Sequence, residues 1–233
     1  MEYNVQGLYG EKSDVYPFAF SEDLVASFSL NSYGITDMTN YVESIYLYSL
    51  SKNEIIQELK VEGRYLNCKT EVYDEGADLV LCIADNQNKE FLLWYRWEYS
   101  NNTLKLVMKK DCENVNNWTI LQIQGESMLV TYDENSNKIL AVSGQNECVE
   151  VVDLENDELL DLNMDSNGKE ILLLVKDQEK ARVCVYKDGK CFRSRKLNPE
   201  EYIYSMHLLE NGVLLNLQYQ KADTVSNRLV WWP

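Results

Sequence analysis

The decisive stretch of this chain runs from Leu162-Asn163-Met164 through the polar turn Asp165-Ser166-Asn167-Gly168-Lys169-Glu170 into Ile171-Leu172-Leu173-Leu174-Val175. Beyond another polar loop come Arg182-Val183-Cys184-Val185-Tyr186, the turn Lys187-Asp188-Gly189, and Lys190-Cys191-Phe192. Short apolar runs punctuated by Asn, Asp, Gly and Ser are the pattern of strands joined by turns, and nothing here keeps the spacing of an amphipathic helix. The five-residue run from Ile171 has no polar member, so both of its faces are predicted to be buried.

The same unit recurs outward in both directions. Phe18-Ala19-Phe20 passes through Ser21-Glu22-Asp23 into Leu24-Val25-Ala26-Ser27-Phe28. Glu71-Val72-Tyr73 passes through Asp74-Glu75-Gly76-Ala77-Asp78 into Leu79-Val80-Leu81-Cys82-Ile83. Leu129-Val130-Thr131-Tyr132 passes through a turn opening on Asp133-Glu134 into Ile139-Leu140-Ala141-Val142, and Met206-His207-Leu208-Leu209 through Glu210-Asn211-Gly212 into Val213-Leu214-Leu215. A third strand follows each, as in Ser44-Ile45-Tyr46-Leu47-Tyr48-Ser49-Leu50, Phe91-Leu92-Leu93-Trp94-Tyr95-Arg96-Trp97 and Val149-Glu150-Val151-Val152-Asp153-Leu154. Outer strands are expected at Glu54-Ile55-Ile56, Glu158-Leu159-Leu160 and Lys190-Cys191-Phe192, while the fifth unit stops at Pro233 before one. Five units in 233 residues average about 47 residues each, close to the length of a propeller blade. Sixteen tyrosines, with Val, Ile, Phe and Trp in the same runs, suit pleated surfaces.

The strand endings Leu47-Tyr48-Ser49-Leu50 and Val151-Val152-Asp153-Leu154 resemble the hydrophobic strand and turn of β-propellers of the WD40-like and TolB-like type. The Gly-His and Trp-Asp dipeptides of a WD40 blade are absent. The resemblance implies an all-β chain, a β-propeller of about five blades of mostly four antiparallel strands, forming a single domain over 1–233. Its blades would span 15–62, 65–110, 118–162, 163–198 and 202–233, with 1–10 (Glu2 to Tyr9 above all) as a closing strand that removes the open edge. A β-sandwich or two small barrels are the alternative architectures.

Charge and motifs limit the chemistry. Lys and Arg number 22 against 38 Asp and Glu, a net charge of −16, which disfavours direct contact with nucleic acid or an anionic membrane. No run is long enough for a membrane helix and residues 1–10 lack the features of a secretory signal, so a cytoplasmic (or, in a eukaryote, nuclear) setting is expected. The six cysteines, at 68, 82, 112, 148, 184 and 191, show no metal-finger spacing and read as reduced thiols, with disulfides as the alternative. One histidine, His207, in an apparent strand, reads as structural, and no nucleotide-binding, zincin or hydrolase motif is present. No catalytic residue, metal or cofactor is therefore expected.

The candidate binding residues are of two kinds. Trp94 and Arg96 share one face of the most aromatic strand; if that face meets solvent they are residue types that dominate interfaces, and otherwise they fill the space between blades. Glu22, Asp23, Asp74, Glu75, Asp133 and Glu134 lie in turns that a propeller would gather on one rim. The expected function is a non-catalytic protein-interaction module or subunit of a protein assembly, with a partner that is a protein, preferably basic. Two other readings remain open: an acidic inhibitor or immunity-type protein that blocks a basic surface, and a carbohydrate-binding or glycoside-processing propeller, whose paired carboxylates composition does not exclude.

Overall fold

A computed structural model describes residues 14–33, 39–112, 118–123, 125–166, 170–177, 180–221 and 224–233. Among them every element is a β-strand, and no helix is long and apolar enough to cross a membrane. The expected closing strand at residues 2–9 lies outside the described residues. The chain divides into two compact units, Met1–Val115 and Asn116–Pro233.

The first unit is one antiparallel sheet taken in chain order: β1 (Asp14–Ala19), β2 (Leu24–Tyr33), β3 (Thr39–Ser49), β4 (Glu54–Tyr73), β5 (Gly76–Ala84), β6 (Glu90–Glu98) and β7 (Leu104–Asp111). Its organising element is β4, twenty residues long. The first half of β4 pairs with β3 and the second half with β5, and Arg64 is the hinge point, opposite Tyr41 on one side and Ala84 on the other. Just before it, Glu62 has a φ of 53°, and a Cβ on Gly63 would stand 2.7 Å from Ile83 Cδ1. A side chain at 63 would hold the halves apart; glycine lets them close. The boundary expected between the first two repeats, at 62–65, therefore falls inside a strand.

The two halves of the sheet on either side of β4 pack over one core. Phe20, Leu24, Ala26, Phe28, Ile45 and Leu47 from the first half pack with Leu79, Leu81, Leu93, Tyr95 and Trp97 from the second. Phe20 stacks on Trp97 with ring centroids 6.0 Å apart. Gln57 adds a polar clasp, its carboxamide accepting from Leu104 N at 2.7 Å and donating to Leu104 O at 2.9 Å.

Among the described residues the second unit holds three antiparallel sheets. The first contains β8 (Trp118–Ile123), β9 (Glu126–Asp133), β10 (Lys138–Val142) and β11 (Cys148–Asp153). The second contains β12 (Glu158–Ser166), β13 (Ile171–Asp177), β14 (Lys180–Lys187) and β15 (Lys190–Lys196). The third has β16 (Glu201–Leu209), β17 (Gly212–Lys221) and β18 (Thr224–Trp232). One expectation is corrected here. Trp118-Thr119-Ile120-Leu121 forms a strand that the repeat pattern passed over, so the strands after it move up one place. Val149 to Asp153 is the fourth strand of its sheet, and Glu158-Leu159-Leu160 is no outer strand but the start of β12, with Leu159 opposite Val175.

The middle sheet shows why its central run is wholly apolar. Ile171, Leu173, Val175, Cys184 and Tyr186 pack with Val130, Ile139, Ala141 and Val152 of the first sheet. Leu172, Leu174, Val183 and Val185 point the other way, onto Met206, Leu208, Val213, Leu215 and Leu217 of the third. Each fully buried Val or Leu contributes about 1.5–3 kcal/mol, and here both faces of one strand contribute.

Polar side chains tie the sheets where the strands end. Asp165 Oδ2 accepts from Leu208 N at 2.8 Å, joining β12 to β16. Between β9 and β11, Tyr132 donates to Asn137 Oδ1 at 2.7 Å, and Asn137 Nδ2 donates to the carbonyls of Glu155 and Asp157. The Asp157 carboxylate then receives Arg182 of β14 at 2.5 Å. Glu201, almost wholly buried, accepts from Tyr219 Oη at 2.6 Å and Asn198 N at 2.9 Å and pairs with Arg195 of β15 at 3.4 Å. Burial pushes the Glu201 carboxyl up, but these donors outweigh it and hold it below its ordinary 4.5.

Two outcomes follow from this packing. A Cβ at Gly76 would meet Trp97 O at 2.2 Å, so Gly76→Ala destabilises the chain by about 1–3 kcal/mol, measured by urea unfolding. Because the folded-state value of Glu201 is depressed, its contribution is complete above pH 4.5 and is lost as pH falls through the lower folded value. Tyr219→Phe removes one of its donors, so its stability penalty in urea is larger at pH 7 than at the lowest pH at which the chain stays folded.

Candidate interaction surface

Strand β6 is expected to bury one face, with the Trp94 and Arg96 face either filling between sheets or offered to solvent. The structure buries Trp94 and leaves Arg96 half-buried. Leu93, Tyr95 and Trp97 lie in the core of the first unit, while Leu92 and Trp94 on the opposite face are 3% and 0% exposed. Trp94 is therefore not an exposed anchor. Its indole N–H donates to Asp78 Oδ1 at 2.7 Å, and Arg96, opposite Asp78 across the β5–β6 ladder, donates to the same oxygen from Nε at 3.0 Å. The Arg96 guanidinium also lies 5.1 Å from the Trp94 ring centroid. Burial works against the charge on Arg96, yet the Asp78 carboxylate beside it carries its pKa above the ordinary value. Asp78 itself is 0% exposed. A buried carboxylate needs such partners, since losing them leaves an uncompensated charge. These three side chains lock β5 to β6.

The acidic turns fare differently. The β1–β2 turn carries Glu22 and Asp23, and the β4–β5 turn carries Asp74 and Glu75. The Phe20–Trp97 stack places both turns at the same end of the first unit. Asp23 is bound within it: its carboxylate accepts from Ser51 N at 2.5 Å and Ser49 Oγ at 3.1 Å, clasping the β3–β4 turn. The Ser51 amide and hydroxyl hold its pKa below the ordinary carboxylate range, with Ser49 adding to them. Glu22, Asp74 and Glu75 are exposed, and so is Glu98 at the end of β6.

Among these carboxylates stands Tyr99, 53% exposed. Its amide donates to Glu75 O at 3.2 Å, and its ring meets Trp97 edge-on with centroids 4.7 Å apart. The buried Trp97 thus supports an exposed tyrosine next to the acidic β4–β5 turn. An exposed aromatic ring beside an acidic turn suits a Lys or Arg side chain, which gains from the ring face and from the charge together. Glu98 and Tyr99 were not among the expected residues. They close the aromatic run, and the register that sets Gly76 opposite Glu98 brings Tyr99 to the backbone of Glu75.

Asp133 and Glu134 do not belong to this group. They lie in the second unit, in the turn from the second to the third strand of their sheet, because of the strand passed over at Trp118. Asp133 caps its own turn, accepting from Ser136 Oγ at 2.5 Å and Asn135 N at 3.1 Å; the same two donors hold its pKa down. His207 is exposed on β16, with Nδ1 3.7 Å from Asp165 Oδ2. Among the described residues no three His, Cys, Asp or Glu side chains converge on a point where a metal ion would sit.

No protein-family model matches the chain, and no curated protein is significantly similar to it.

Asp78→Ala strands the Trp94 N–H and the Arg96 guanidinium and costs about 3–5 kcal/mol, read by urea unfolding followed through tryptophan fluorescence. Asp78→Asn, which retains an acceptor, costs less.

Proposed function

We propose that this chain is a non-catalytic protein-interaction module, a subunit of a protein assembly built on a propeller of about five blades, and that it meets a basic protein partner through the acidic end of its first unit. The observation that carries the binding reading is Tyr99, exposed on Trp97 and bonded through its amide to the acidic β4–β5 turn, where Asp74 and Glu75 are exposed. Strand β4 supports the blade reading, since it serves as the last strand of one four-stranded group and the first of the next. So does the middle sheet of the second unit, with both faces buried by neighbouring sheets. The net charge of −16 adds long-range attraction for a cationic surface and speeds encounter with it.

An acidic antagonist would use the same surface, and salt separates the two. Raising salt from about 0.05 M to about 0.5 M shortens the screening length from roughly 14 Å to roughly 4 Å. The test is capture from native lysate at both salts by the wild-type chain and by Glu22→Lys/Asp74→Lys/Glu75→Lys. The assembly-subunit reading expects one stoichiometric basic protein, kept at high salt by the wild type and reduced at least about tenfold by the triple variant. A basic protein released completely by salt supports the antagonist instead. Equal capture by wild type and variant removes the acidic end from the interface.

A further inference from the structure

The edge of the middle sheet in the second unit brings two thiols together. Cys184 lies on β14, and on β15 Cys191 stands opposite Tyr186. Residues directly opposite on antiparallel strands share a face, as do residues two apart on one strand. Cys184 and Cys191 are therefore diagonal neighbours on the same face. The β14–β15 ladder carries an irregularity at this point, with Val185 opposite Arg193 and Tyr186 opposite Cys191, so that Phe192 has no place in it. The Cys191 thiol donates to the Arg193 carbonyl at 3.7 Å, and Cys184 is its diagonal neighbour on the ladder. Their surroundings differ sharply: Cys184 is fully buried beside Tyr186, whereas Cys191 is exposed. Both are free thiols.

We propose that Cys191 and Cys184 form a peroxide-oxidisable pair, in which the exposed Cys191 reacts first and the buried Cys184 resolves it into an intrasheet disulfide. In the first step the Cys191 sulfur takes one oxygen from hydrogen peroxide, giving a sulfenic acid and one water. The Cys184 sulfur then attacks the Cys191 sulfur. The S–S bond forms, the S–OH bond breaks, and the departing hydroxide leaves with the Cys184 proton as a second water. Two thiols lose two electrons and two protons, and one peroxide is reduced to two waters. Burial, with the neighbouring Cys191 adding to it, pushes the Cys184 thiol up to about 12. Cys184 is thus a protected thiol, while Cys191 has both the access and a partner within reach. The bond would staple β15, the terminal strand of its sheet, to β14, and a dithiol reductant would release it. This inference is independent of the acidic surface, which lies in the other unit.

Peptide mapping tests it on the full chain. The protein is treated with a small molar excess of hydrogen peroxide, remaining thiols are alkylated in denaturant, and the chain is cut with trypsin. Cleavage after Arg182, Lys187, Lys190 and Arg193 puts Cys184 on residues 183–187 and Cys191 on residues 191–193. The expected product is these two peptides joined, two hydrogens lighter than their sum and separated by dithiothreitol. In Cys191→Ser, a change at an exposed position, Cys184 is recovered fully alkylated after the same treatment. Recovery of wild-type Cys184 as the alkylated thiol while Cys191 has become a sulfinic acid overturns the proposal. So does a bridge from either cysteine to any other, within the chain or between two chains.

Discussion

A β-strand has two faces, and a strand made only of apolar residues leaves a sheet no face to turn to water. That constraint governs β13, where Ile171, Leu173 and Val175 demand one neighbouring sheet and Leu172 and Leu174 demand another. At about 25 cal/mol per Å² of apolar surface, leaving either face bare would cost more than any single polar contact in the molecule returns. Stacking of sheets is the remaining solution, and each added sheet repeats the demand on its own far side. The strand β4 meets the same demand in the first unit by another route. It changes partners at Arg64, and the two halves of the sheet pack over one core.

Once sheets are stacked, carboxylates at strand ends and turns meet backbone groups and side chains that need partners. The carboxylates divide by what they find there. Asp23, Asp157, Asp165 and Glu201 are used up by donors from neighbouring strands or sheets. Glu22, Asp74 and Glu75 remain exposed. A turn carboxylate with a local donor shapes the fold, and one without is left to act outward. The same sorting explains why Asp78, although it follows an acidic turn in sequence, belongs to the core, for β5 begins two residues before it.

Much of this was legible in the sequence, for a stated reason. The alternation of apolar runs with turn residues, and the unbroken run from Ile171, follow from side-chain periodicity, which is local. Hence the strand content, the antiparallel pairing of neighbours and the three-stranded last sheet were expected. The third repeat was misframed because Trp118-Thr119-Ile120-Leu121 is short and follows a polar stretch, so it gave no turn-bounded signal of its own. Trp94 and Arg96 were singled out by residue type, and residue type does not say whether a sheet's second face is covered. Their true role required Asp78, sixteen and eighteen residues away.

The sequence by itself determined that this chain is built from strands, where most of them begin and end, and that its surface is strongly negative. Those properties depend on neighbours along the chain and on summed charge. Tertiary structure decided which partner each strand takes, that β4 serves two, that Trp94 is buried while Tyr99 is exposed, and that Cys184 and Cys191 are diagonal neighbours. Each of these depends on register across strands and on what covers a sheet face. A shift of one residue in register would turn every side chain of a strand to its other face.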